Sequence, residues 1–159
     1  MAAKKKEDVQ VLPEQVEIEK VAEENAKVLD NKKYVVDRLL ETKREGMEGL
    51  VQYMEEIGFF NAPCSGGNHL AAEFGLVHHS RNVMMAAENI GYALLGKTKY
   101  AEIRNSVMIA AALHDLGKCG DYGKQMYVPN ILKSGKASET GGQQESDHAG
   151  KGHGEAKKG

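Results

Sequence analysis

A histidine and an aspartate stand side by side at the end of an apolar run, at His114 and Asp115. The run 107–113 contains only small and apolar residues, which predicts a buried helix. An imidazole and a carboxylate next to such a run need a polar partner, because burial without one is costly. A divalent metal ion would satisfy both, since His nitrogen and Asp oxygen are common ligands. The pair therefore predicts a metal site.

A further ligand is predicted on the preceding helix, 75–95, where His79 stands near the start. Adjacent residues on an ideal helix point about 100° apart, so His114 and Asp115 need a partner from another element to converge on one ion. If the two helices are antiparallel, the start of the first and the end of the second lie at the same end of the pair. We therefore predict that His79, His114 and Asp115 lie close enough to share an ion.

The elements that must position these side chains are helices. Apolar residues recur at helical spacing in four segments, and no segment alternates convincingly with period two. The prediction is an all-α fold with helices over 13–43 (as one helix or two), 45–57, 75–95 and 100–116. Gly96 and Gly117 are expected to end the last two helices. Phe59 and Phe60 are expected to anchor the core.

Composition predicts three parts. Residues 1–38 form a charged N-terminal helical arm, whose thin apolar stripe before Asn31 suits projection or pairing with a second copy. Residues 39–133 form the helical domain. Residues 134–159 contain no Leu, Ile, Val, Phe, Tyr or Met, so this tail cannot bury enough apolar area to offset the entropy of ordering and is predicted to be disordered.

Length and charge narrow the class of protein. A chain of 159 residues has room for one domain, and a net charge of −2 with a pI near 6.3 gives no general basic field for nucleic acid.

Cys64 and Cys119 lack metal-ligand spacing and are predicted to be reduced thiols. No apolar signal segment follows the start, and no run approaches the roughly 20 apolar residues of a membrane span. The sequence therefore predicts a cytoplasmic protein without a membrane partner.

The motifs together resemble the HD-domain superfamily of metal-dependent phosphohydrolases. The signature of that superfamily is a His on one helix, a His-Asp pair on a later helix and a distant Asp. The resemblance covers about 39–138 and is strongest to HD hydrolases of phages and prophages. It rests on Phe59-Phe60-Asn61-Ala62-Pro63, on His69 ten residues before His79-Ser80, on Leu113-His114-Asp115-Leu116-Gly117-Lys118, and on Tyr127-Val128-Pro129-Asn130-Ile131-Leu132.

The resemblance implies an HD-like helical bundle and a role for each matching residue. His79, His114 and Asp115 carry over as metal ligands, and Asp115 and Lys118 as catalytic residues. Lys118 also carries over as a phosphate contact, and His69 matches by spacing as a residue that faces the substrate or a second ion. The metal would be Mn, Fe, Co, Ni, Zn or Mg. The implied reaction is attack of a metal-bound water on a phosphoester, a nucleotide or a short nucleic acid.

The sequence also departs from the family pattern. Family members continue into helices that supply the last Asp, whereas this chain enters its Gly-rich tail, so the resemblance implies a fragment or shortened relative, incomplete at the C-terminal end. His78, Asp121 and His153 are weaker site candidates. Two other hypotheses stay open. The chain could be a catalytically impaired remnant that acts as a helical metal-binding or protein-interaction module, or a helical assembly protein that oligomerises through residues 14–40 without a metal.

Overall fold

The computed structural model describes residues 13–66, 70–120, 124–129 and 143–145. His69, Asp121, His153 and the predicted tail apart from Gln143–Glu145 lie outside the described residues, so the predictions made for them stay predictions. Helices make up most of the described residues, which confirms the all-α prediction. The regular elements are α1 Pro13–Leu40, α2 Met47–Glu56, α3 Gly75–Leu113, a 3-10 turn Leu116–Cys119, and two short antiparallel strands, β1 Tyr127–Pro129 and β2 Gln143–Glu145.

The helix α1 is continuous, and its two halves differ in burial. Residues 20–30 are exposed except for the half-buried Val28, whereas Asn31, Val35 and Leu39 are buried. Four-residue steps place those three on one face of the helix, which packs against α3. The sequence predicted this change, because its apolar stripe becomes firmer after Asn31.

The core lies between the second half of α1, α2 and the two ends of α3. Phe59 and Phe60 are 0% and 2% exposed and pack edge to face with ring centroids 5.3 Å apart, so both are the core anchors that the sequence predicted. Their largest fully buried neighbours in the same cluster are Leu39, Met54, Leu76, Met84 and Met108. None of the helices in the described part of the chain is both long and apolar enough to cross a membrane.

The long helix α3 is a hairpin of two arms that turns at Gly96. The backbone of Gly96 has φ 71° and ψ 166°, which interrupts otherwise helical geometry and which glycine adopts without steric cost. The sequence predicted a longer connection through Lys97–Lys99, and that prediction is wrong, because the helix resumes directly after Gly96. The arms are nevertheless antiparallel. Their side chains meet at three levels, where Tyr92 contacts Tyr100, Glu88 accepts from Arg104, and His79 contacts His114.

Gly91 lets the two arms approach closely near the turn. A Cβ at this position would lie 2.2 Å from Cε2 and 2.4 Å from Cδ2 of Tyr100, whose side chain is fully buried. We expect Gly91→Ala to lower the free energy of unfolding by about 1 to 3 kcal/mol, because an overpacked core must shift. Urea unfolding followed by circular dichroism measures the change.

The matched control for this substitution is Gly49→Ala in α2. Gly49 is exposed, and no atom lies within 4 Å of a Cβ added there. Alanine at an open helical position is expected to stabilise the protein by up to about 1 kcal/mol. Equal stability of Gly91→Ala and the unsubstituted protein would contradict the close packing of the two arms.

Candidate metal centre

The predicted ligands lie at the open end of the α3 hairpin, opposite Gly96. His79 stands in the second turn of the first arm, and the second arm ends at Leu113. His114 keeps helical dihedral angles as the residue that follows the helix, but Asp115 has φ −111° and ψ 18°, outside the helical region. Because the helix ends here, the side chains of His114 and Asp115 no longer have the angular spacing of neighbours on an ideal helix. Both side chains can therefore turn toward His79.

The three ligand atoms lie in mutual contact. Nε2 of His79 is 3.1 Å from Nε2 of His114 and 3.3 Å from Oδ2 of Asp115, and the last two atoms are 3.2 Å apart. Metal–ligand bonds of about 2.1 Å place tetrahedral or octahedral ligands roughly 3.0 to 3.4 Å from one another. The predicted convergence is therefore found, with separations that suit one ion.

A backbone contact orients the imidazole of His114. Its Nδ1 lies 2.9 Å from the carbonyl oxygen of Ala111, and a carbonyl only accepts, so Nδ1 carries the proton and donates it. In the neutral ring Nε2 then keeps its lone pair, which points into the cluster with His79 and Asp115. Metal-binding histidines are commonly oriented by a hydrogen bond of this kind.

Lys118 lies beside the carboxylate of Asp115. It is part of the 3-10 turn, and its Nζ donates to Oδ2 of Asp115 at 2.7 Å. That hydrogen bond raises the pKa of Lys118. Burial alone would raise the pKa of Asp115, but the hydrogen bond from Lys118 and the electrostatic effects of His114, Lys118 and His79 outweigh it, so the pKa lies below its ordinary value. Asp115 is thus an anion at neutral pH, as a metal ligand must be.

The structure adds Cys64 to the cluster, which sequence reasoning missed. The residue is 3% exposed, and its sulfur, a ring nitrogen of His79 and a carboxylate oxygen of Asp115 all lie within 4.8 Å of one another. Nζ of Lys118 is 3.8 Å from the same sulfur. Burial raises the pKa of the Cys64 thiol, with Lys118 opposing the shift and Asp115 adding to it. No motif in the sequence predicts Cys64 as a site residue, because the residue lies on a loop and not at helical spacing from the other ligands.

Backbone contacts hold that loop against the start of α3. The amide of Cys64 donates to the carbonyl of Leu70 at 2.9 Å, and the amide of Leu76 donates to the carbonyl of Ala62 at 2.9 Å. Leu70 and Phe74 both have positive φ, at 53° and 65°, which costs a non-glycine residue energy. The described residues on both sides of 67–69 are therefore held against the same helix start that carries His79.

A cavity of about 320 Å³ lies next to the cluster. Lys118 lines this cavity as well as contacting Asp115, so it connects the two. The other walls include the amide side chains of Asn61 and Gln125 and the ring of Tyr127, which can contact a polar organic group.

Among the remaining sequence candidates the structure describes only His78, and this residue does not join the cluster. His78 is exposed and lines a separate cleft between α1 and the start of α3, as expected of a neighbour on the helix. His69, predicted to face the substrate, lies outside the described residues. Comparison of the chain with protein-family models, with curated proteins and with solved structures finds no match.

Proposed function

We propose that this protein is a metal-dependent phosphohydrolase of the HD type, with its centre at the open end of the α3 hairpin. The observation that carries the proposal is the mutual contact of His79, His114 and Asp115, whose ligand atoms are 3.1 to 3.3 Å apart. Two imidazoles and one carboxylate are a donor set that divalent transition metals accept. The resemblance of the surrounding motifs to HD hydrolases supports the choice of reaction.

The proposed reaction gives separate roles to the metal ligands and to Lys118. His79, His114 and Asp115 would hold the ion, and the Ala111 carbonyl keeps the His114 ring in the required orientation. Such an ion, when bound, polarises a phosphoryl oxygen and makes water a stronger nucleophile near neutral pH. Lys118 stands where the cluster meets the cavity, and its ammonium group can neutralise charge on the phosphoryl oxygens.

The exposure of the cluster favours catalysis over a purely structural metal. The side chains of His79, His114 and Asp115 are 25%, 35% and 19% exposed. Structural metal sites in proteins are usually closed by four protein ligands, whereas catalytic sites admit water or substrate. An accessible cluster beside a cavity thus suits a reaction on a small molecule.

The proposed substrate is a phosphoester, and the cavity supplies space for its organic part. In this arrangement the phosphate would lie at the Lys118 end, near the cluster. The amide and phenol groups of Asn61, Gln125 and Tyr127 would contact the rest of the molecule, as they would a nucleotide. A short nucleic acid is compatible with the same chemistry if its terminal phosphate enters the Lys118 end of the cavity.

Hydrolysis of p-nitrophenyl phosphate tests the proposal. We expect chelator-treated protein to be inactive and to regain activity when Zn²⁺, Co²⁺ or Mn²⁺ is added. Lys118→Ala should lower turnover about 100-fold, the usual effect of removing one group that stabilises transition-state charge. Lys97→Ala, which changes an exposed lysine at the far end of the hairpin, should leave turnover unchanged.

Two results would count against this function. Turnover that chelation does not reduce would show that the activity is not metal-dependent. A bound ion with no hydrolysis across a panel of phosphomonoesters and nucleotides would favour the alternative hypothesis of a metal-binding module.

A further inference from the structure

Cys64 lies beside the cluster, and the proposed reaction does not use it. Its sulfur is buried, and it lies within 4.8 Å of ligand atoms on both His79 and Asp115. A buried thiol often serves as a small apolar residue with a weak S–H donor. Cys119 is also buried, and its thiol donates to the carbonyl of Leu116 at 2.6 Å. Cys64 differs because its sulfur lies beside potential metal ligands.

We propose that Cys64 is an additional ligand of the ion and binds it through a thiolate sulfur. This inference rests on the metal centre of the proposed function and adds one protein ligand to it, so water or substrate would bind at a further position of the ion. A tetrahedral ion with a sulfur bond of about 2.3 Å and nitrogen or oxygen bonds of about 2.1 Å places these atoms roughly 3.6 Å apart. The Cys64 sulfur lies within 4.8 Å of the ligand atoms of His79 and Asp115, a separation from which it can approach a shared ion.

The charges around Cys64 support cation binding at this point. Nζ of Lys118 contacts Oδ2 of Asp115 at 2.7 Å and lies 3.8 Å from the Cys64 sulfur. The single positive charge of Lys118 thus lies close to two of the proposed ligands, Asp115 and Cys64. A divalent ion would replace that charge, the thiol proton would pass to solvent, and the Lys118 side chain could turn toward the cavity that it already lines.

A thiolate ligand narrows the choice of metal. Soft sulfur ligands favour Zn²⁺ and Co²⁺, whereas Mg²⁺ and Mn²⁺ prefer oxygen. Removing Cys64 should therefore weaken Zn²⁺ and Co²⁺ binding much more than Mn²⁺ binding. A fourth protein ligand also occupies a coordination position that water or substrate needs. Turnover at saturating metal is therefore expected to rise when Cys64 is replaced.

Cobalt titration of the full chain tests the inference directly. Co²⁺ bound to a thiolate has an intense near-ultraviolet charge-transfer absorption that nitrogen and oxygen ligands do not give. We expect this absorption in the unsubstituted protein and in Cys119→Ser, and expect its loss in Cys64→Ser. Co²⁺ affinity should fall about 100-fold in Cys64→Ser, at least as much as when a group that supports a ligand is lost.

Alkylation provides a second measurement that does not depend on Cys64→Ser folding normally. In the Cys119→Ser protein, Cys64 is the only cysteine of the sequence. Saturating Zn²⁺ should slow its reaction with iodoacetamide at least about tenfold, because a metal-bound thiolate is a poorer nucleophile, whereas Mg²⁺ should not.

The outcomes separate this inference from the proposed function. Co²⁺ binding that depends on His114 but lacks the thiolate absorption would overturn the role of Cys64 and leave the metal centre intact. The absorption without any phosphoester hydrolysis would support the thiolate ligand and contradict the hydrolase. No Co²⁺ binding at all would overturn both.

Discussion

Asp115→Asn is expected to abolish metal-dependent hydrolysis and to lower metal affinity more than 100-fold. Asp115 is the one carboxylate in the candidate metal cluster formed by the described residues, and its Oδ2 contacts His79, His114 and Lys118. The amide has nearly the same shape but no charge, so the ion loses an anionic ligand and Lys118 loses its ion pair. Isothermal titration with Zn²⁺ and a p-nitrophenyl phosphate assay measure the two effects.

Glu88→Gln is the matched control for this substitution. Glu88 is also a partly buried carboxylate in an ion pair, with Arg104 at 2.7 Å, but it lies farther along the hairpin from the cluster. We expect the control to bind Zn²⁺ with unchanged affinity. If both variants lost binding equally, the effect would come from the fold and not from the ligand. If Asp115→Asn kept full activity, Asp115 would not be a catalytic metal ligand.

Gly75→Ala is expected to cost about 3 kcal/mol of stability, the upper part of the usual range for overpacking. A Cβ at Gly75 would lie 2.0 Å from the carbonyl oxygen of Leu70 and 3.1 Å from the amide nitrogen of Cys64. Both contacts involve backbone atoms, so the loop itself must move. The same movement should weaken Zn²⁺ binding, because the loop carries Cys64 and packs at the start of the helix that carries His79.

Gly117→Ala separates this effect from the simple addition of a methyl group near the site. No atom lies within 4 Å of a Cβ added at Gly117, although it is the residue before Lys118. Urea unfolding should show a change of less than about 0.5 kcal/mol for this control, as for most open surface positions. A Gly75→Ala protein with unchanged stability and Zn²⁺ affinity would contradict the described packing of the loop.

The sequence predicted the part of the site that helices carry. Apolar periodicity located the two arms of the α3 hairpin, and the position of each histidine within its arm implied that His79 and His114 meet at one end. That argument succeeds because helix geometry relates sequence spacing directly to position in space. The predicted connection through Lys97–Lys99 was wrong only locally. A single glycine can reverse the chain, and three polar residues do not indicate whether a helix has already resumed.

The sequence could not predict the contribution of the loop. Cys64 lies on a loop that has positive φ at Leu70 and Phe74 on its way to α3. Backbone hydrogen bonds hold this loop, and such bonds leave no pattern in side-chain types. The conformation of such a segment depends on the surface that it packs against, here the start of α3 at Gly75. Only the folded chain shows that this thiol lies beside Asp115. The ligand roles themselves stay predictions.

The number of Zn²⁺ ions bound per chain tests the central claim most directly. Chelator-treated protein is dialysed against Zn²⁺ and then analysed for metal, alongside the double variant His79→Ala, His114→Ala, with folding checked by circular dichroism. We predict one tightly bound Zn²⁺ per chain for the unsubstituted protein and none for the folded double variant. The absence of bound Zn²⁺ in the unsubstituted protein, or equal Zn²⁺ content in both, would contradict a metal centre at the end of the α3 hairpin.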